Sequence, residues 1–200
     1  ITHGIGTGLA AVGLIFLLLA TIRYGDTWHI VSAVVFGTSL IFLYLASTLY
    51  HLISSPHIKR IFRQLDHAMI YILIAGTYTP LTLVTLRGGW GWSLFGLVWG
   101  FAVLGLTLEL VLPRRIGWLS LTLYLGMGWL IVIAGKPLFA SLETGGLILL
   151  VVGGLLYSLG VIFYVWKKLS YHHAIWHLFV MAGSAAHFFA IFFYVYSPSS

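Results

Sequence analysis

Apolar residues in this chain gather into long runs, broken by short clusters of glycine, proline, serine and charge. The runs fall at about 4–22, 29–53, 67–86, 92–112, 117–134, 145–166 and 173–196. Each holds about 18 to 25 residues, enough to cross ~30 Å of hydrocarbon at 1.5 Å per helical residue. The breaks are Tyr24-Gly25-Asp26, Ser54-Ser55-Pro56, Arg87-Gly88-Gly89, Pro113-Arg114-Arg115, Lys136-Pro137 and Lys167-Lys168. The pattern predicts an all-α membrane protein: a seven-transmembrane helix bundle forming one domain over residues 1–200. The fifth run is the shortest and contains Gly126 and Gly128; without it, six spans would put both termini on one side. Pro80 lies inside the third run and predicts a kink, because proline removes a backbone donor and clashes one turn back. Gly96 and Gly100 form a GxxxG in the fourth run, expected to serve close packing inside the bundle rather than a dimer face.

The charged residues orient the bundle. Lys59, Arg60, Arg63, Arg114, Arg115, Lys167 and Lys168 fall on the side shared with the N-terminus, and Arg23, Arg87 and Lys136 on the other. Basic residues in short loops stay cytoplasmic, so the expected topology is N-terminus cytoplasmic and C-terminus exterior. Trp90 and Trp92 then sit at the outer interface, where indole rings are favoured.

Composition narrows the class further. The chain is 60% hydrophobic and 7% charged, and has no cysteine, which excludes disulfides and thiolate metal ligands. A net charge of +6 invites a nucleic-acid reading. The Lys and Arg residues lie between the helices, however, where topology explains them, and no nucleic-acid partner is expected. No charged n-region and cleavage site precede the first run, so a signal peptide is not expected either.

The candidate chemistry lies in the histidines, of which there are nine. His51 ends the second run, and His173 and His177 open the seventh, on the same predicted face. His173 and His177 are spaced i, i+4, which puts both imidazoles on one side of a helix. Asp66 and His67 open the third run at that face, and Ser47 lies one turn deeper than His51 on the same side. Three imidazoles suit Zn²⁺, which leaves a fourth position open in catalytic sites and lowers the pKa of water there to about 7. Asp66 and Ser47 are then natural supporting groups. The plainer reading is histidines that hydrogen-bond water and headgroups at a membrane boundary.

The other polar residues sort by depth. His187 lies ten residues beyond His177, about 15 Å deeper, and is either a satisfied interior histidine or a group that meets substrate. His29 belongs to the outer face, His57 to the basic loop, and His3 and His172 to the rim. Glu109 is expected to pair with Arg114 and Arg115, and Asp26 and Glu143 to be outer-loop surface charges.

These residues resemble the hemolysin III group of the progestin and adipoQ receptor family. The resemblance rests on Ser47-Thr48-Leu49-Tyr50-His51, Leu65-Asp66 after a basic segment, Gly76-Thr77-Tyr78-Thr79-Pro80, and His173-x-x-x-His177 with a further His187. It implies seven helices, a cytoplasmic N-terminus and a zinc ion held by His51, His173 and His177, with Asp66 and Ser47 beside it. The sequence carries no extended terminal regions like those of the eukaryotic receptors, so hormone reception is not expected. Nothing in it resembles a secreted pore-former. The compact chain and short loops suggest the bacterial plasma (inner) membrane.

The leading expectation is a zinc-dependent hydrolase acting on a lipid amide or ester at the cytoplasmic leaflet. Asp66 would help deprotonate the attacking water, and Ser47 would position it or the resulting oxyanion. Membrane lipids are the expected partners and substrate pool. The alternative is non-enzymatic: zinc staples the second and seventh helices in a protein that senses or regulates membrane state. Proton or ion transport through Asp66, His67 and His187, and a haem held by paired histidines, rank below both.

Overall fold

The computed structural model describes residues 2–112 and 116–196, all of whose regular structure is helical. Seven helical segments are long and apolar enough to span a membrane. They are α1 (Thr2–Tyr24), α2 (Thr27–Leu52), α3 (Pro56–Pro80) with a continuing turn, α4 (Gly89–Val111), a composite fifth span, α7 (Thr144–Val165) and α8 (His172–Tyr194). The fifth span consists of α5 (Gly117–Trp129), a 3₁₀ stretch (Leu130–Ala134) and α6 (Gly135–Ser141). Arg114 and Arg115, and their expected pairing with Glu109, lie outside the described residues. Glu109 is buried and accepts a hydrogen bond from Ser120 Oγ at 2.7 Å.

Two spans are longer than the apolar runs suggest. The fifth does not end before Lys136-Pro137: it continues to Ser141 and covers 25 residues. Pro137 is tolerated because it falls in the first turn of α6, where backbone N–H groups have no helical partner in any case. The change to 3₁₀ geometry leaves backbone groups to satisfy, and Tyr78 does so from α3. Its hydroxyl donates to Gly128 O (3.0 Å) and accepts from Ile131 N (2.8 Å). Non-helical backbone at membrane depth needs such a protein partner.

The third span starts early. Pro56 occupies the first helical turn, and the basic stretch through Arg63, expected to be a loop, is instead helical. Pro56–Thr85 covers 30 residues, about 45 Å of helix, so its first turns extend past an apolar slab of ~30 Å. Pro80 is the last residue of the regular α-helix, and Leu81–Thr85 continue as a π-helical turn.

α1 packs on α2, α2 on α3, α3 on α4 and α7 on α8, while α1 also touches α8. The core between them includes Leu17, Phe36, Tyr71, Val98, Met127 and Ile191, all with almost no exposure. Outward faces carry Leu9, Phe16, Leu104, Ile148 and Phe193, the composition a lipid-facing surface takes. α2 and α3 approach so closely that a Cβ on Gly76 would collide with Ser39. Gly96 and Gly100, by contrast, face open space. The GxxxG is therefore not the internal packing motif its spacing suggests. This alternating connectivity gathers the start of α1, the end of α2, the start of α3 and the start of α8 at one end of the bundle.

Candidate metal centre

The last turn of α2 and the first turns of α8 bring His51, His173 and His177 into one cluster. One ligand atom from each lies within 4.8 Å of the others. Nε2 of His177 is 3.1 Å from Nε2 of His173, which in turn is 3.2 Å from Nε2 of His51. The cluster grades from exposed His51 to buried His177.

Mutual hydrogen bonds do not account for this geometry. A neutral imidazole nitrogen offers either one proton or one lone pair, so the central Nε2 of His173 can satisfy only one neighbour. A shared electrophile satisfies all three. Tetrahedral coordination with metal–nitrogen bonds near 2.0–2.1 Å places ligand nitrogens about 3.4 Å apart, close to the two observed separations. The donor set therefore fits a metal ion such as zinc.

Asp66 and His67 lie on α3 and line a cavity of about 120 Å³ that is also lined by His3, His173 and His177. The cavity wall is otherwise largely apolar, with Leu73, Ile74, Leu125, Val161 and Val180, and reaches His187. Ser47 is fully buried on α2, and its Oγ has no hydrogen-bond partner among the described residues. His187 uses Nε2 to donate to Leu150 O at 3.1 Å, which leaves a buried Nδ1 without a hydrogen-bond partner among the described residues. It is thus half satisfied and faces the cavity, between the two expectations for it.

Sequence reasoning missed two residues. His3, expected at the rim, is buried and stacks on His177. Thr2 carries no signal in the sequence, yet its Oγ1 lies 3.1 Å from His177 Nδ1. No periodicity marks them, because only the tertiary approach of α1 to α8 brings them there. His172 uses Nδ1 to donate to Phe163 O at 3.2 Å, and His57 and His29 lie away from the cluster.

The far end of the bundle holds a different polar group. Asp26, expected to be a surface charge, caps α2: its carboxylate accepts from Trp28 N (2.8 Å) and His29 N (3.1 Å), and His29 Nδ1 reaches back to the cap. Arg87 pairs with the same carboxylate at 2.7 Å. Together these contacts hold the Asp26 carboxyl well below its ordinary range, the His29 hydrogen bond contributing most.

Fold and cluster together define an integral membrane protein with a histidine group able to take a metal ion at one end of a seven-helix bundle. The chain belongs to the hemolysin III family, matching the family model described as "Haemolysin-III related" over residues 1–188. It is 50% identical to a "Hemolysin-3 homolog" of Bacillus subtilis (strain 168), over 97% of this chain and 91% of that one. It is 47% identical to "Hemolysin-3" of Bacillus cereus, over 100% of this chain and 91% of that one. A human "Monocyte to macrophage differentiation factor" is 31% identical over 87% of this chain and 75% of its own length. The apolar spans and these relatives make it a protein of the bacterial plasma membrane.

Proposed function

We propose that this protein is a zinc-dependent hydrolase of lipid amide or ester bonds, with its site opening to the cytoplasmic leaflet. The observation that carries this reading is the convergence of three Nε2 atoms, two of them from His173 and His177 on the wall of a mostly apolar cavity that Asp66 also lines. His51, His173 and His177 would hold the ion, which supplies Lewis acidity to a carbonyl and makes water acidic enough to react at neutral pH. Asp66 accepts the proton released from the attacking water. Ser47 offers a buried hydroxyl, without a hydrogen-bond partner among the described residues, to orient that water or the oxygen that gains charge. The apolar cavity wall takes the chain of an amphiphile while its head meets the histidines. Lys59, Arg60, Arg63, Lys167 and Lys168 lie near this end, which supports placing it in the cytoplasm.

The test is direct. Purified protein carrying one zinc per chain is mixed with pools of N-acyl and O-acyl lipids, and released fatty acid is measured. Release by wild type, its loss in Asp66→Ala with zinc retained, and its loss with zinc in His51→Ala would support the reading. Full zinc occupancy with no product from any pool would leave a zinc staple between α2 and α8 as the function of the cluster.

A further inference from the structure

The first helix holds the His177 ring from two directions. Thr2 Oγ1 sits 3.1 Å from Nδ1, at the edge of the ring opposite the histidine cluster. The His3 ring lies flat against the face of His177, with centroids 3.7 Å apart and planes 11° from parallel. His3 is itself fixed. Its ring meets Tyr44 edge-on at 5.0 Å, and the Tyr44 hydroxyl donates to Ser184 Oγ on α8 at 2.7 Å. Thr7 Oγ1 donates to the carbonyl of His3 at 3.0 Å, which ties down the backbone of this first turn.

Tautomer chemistry gives these contacts a role. A neutral imidazole carries one proton, on Nδ1 or on Nε2, and only the bare nitrogen can bind a cation. Nε2 of His177 faces the cluster. To act there it must be bare, which puts the proton on Nδ1 and makes Thr2 Oγ1 its acceptor. Partners of this kind, set behind a metal-binding histidine, fix both the tautomer and the ring direction. His3 is not among the converging ligands, but its stacked ring blocks rotation of His177 about its side-chain bonds.

We infer that Thr2 and His3 are positioning residues for the metal centre: Thr2 reserves the Nε2 lone pair of His177 by accepting its Nδ1 proton, and His3 holds the plane of the ring. The proposal rests on the reading that the three histidines bind a metal ion, but not on any hydrolytic activity.

Zn²⁺ affinity of the purified full chain, measured by competition with a chelator, tests it, with the visible absorption of the Co²⁺-loaded form as a second readout. Thr2→Val keeps the shape of the side chain and removes its acceptor, and should weaken Zn²⁺ binding by about 10- to 100-fold and shift the Co²⁺ bands. Thr2→Ser should return binding to near wild type. His3→Phe, which preserves a flat ring, should bind as wild type, whereas His3→Ala should bind more weakly. Wild-type affinity and spectrum in Thr2→Val, or a Thr2→Ser variant as weak as Thr2→Val, would overturn the role of Thr2. Equal affinities for His3→Phe and His3→Ala would overturn that of His3. Failure of the underlying reading looks different: His51→Ala then binds Zn²⁺ as tightly as wild type, or wild type takes up none.

Discussion

The two ends of this bundle both carry histidine beside an acidic residue, and they solve opposite problems. At the Asp26 end the contacts of the carboxylate close on its neighbours. The carboxylate receives two backbone N–H groups, one imidazole and one guanidinium, and the helix beneath it is capped. At the His51 end the contacts do not close. The Nε2 atom of His173 lies against two other imidazole nitrogens and can bond only one of them, while the buried Ser47 hydroxyl on α2 and the His3 ring nitrogens have no hydrogen-bond partner among the described residues. Orphaned buried polar atoms are costly unless something satisfies them. A closed cluster is thus a structural device, and an open one is a place for something the chain does not itself supply.

The largest effect that can break this contrast is metal uptake. Wild type should carry close to one zinc per chain by elemental analysis, and His51→Ala, His173→Ala and His177→Ala should each carry close to none. His29→Ala, at the closed end, should retain the full amount. Chelation should lower the thermal midpoint of wild type and of His29→Ala but leave the other three unmoved, since a ligand that binds only the folded state adds stability in proportion to its occupancy. Zinc retained by any of the three cluster variants, or lost from His29→Ala, would remove the distinction between the ends.

The reach of sequence reasoning differs between these ends too. The seven spans are legible because apolar runs longer than about 18 residues have few other uses. The meeting of His173 and His177 with His51 is legible because depth can be counted from the breaks between runs, although 122 positions separate His173 from His51. Three features are not legible. Lys136-Pro137 looks like a loop, yet a first-turn proline is compatible with a helix, and Tyr78 repairs the backbone nearby. Residues 57–63 look like a loop because Lys59, Arg60 and Arg63 break up the apolar pattern, yet charge at the start of a helix does not prevent it from forming. His3 looks peripheral because its burial depends on which way α1 leans against α8. Asp26 had a signal that apolar counting overlooked, an acidic residue directly ahead of a helical run.

A smaller pair of effects on stability sharpens the contrast by opposite signs. Asp26→Ala removes the α2 cap and the Arg87 partner, and should cost about 1 kcal/mol. Ser47→Ala removes a buried hydroxyl that has no partner among the described residues, so the metal-free protein should be unchanged or more stable by up to about 1 kcal/mol. Unfolding midpoints in detergent with chelator present read both. A destabilisation by Ser47→Ala as large as that by Asp26→Ala would mean that the hydroxyl is satisfied and the cluster less open than its geometry indicates.

Acid should separate the ends in the same order at still smaller amplitude. Metal-binding imidazoles must be neutral, so protons displace the ion first, as the pH falls below about 6. Asp26 responds later. Its folded-state pKa is depressed, so its contribution is fully present above the unfolded value of about 3.9 and is lost as pH falls below it. Midpoints measured from pH 7 to pH 3 should therefore show a metal-dependent decline, abolished by chelator, followed below about pH 4 by a metal-independent one, abolished in Asp26→Asn. The second slope should flatten in high salt, because the Asp26 and Arg87 side chains are 47% and 49% exposed and their attraction is readily screened. If Asp26→Asn instead removed the earlier decline, the acidic cap and the metal cluster would be one coupled unit, and the division between a closed end and an open one would not hold.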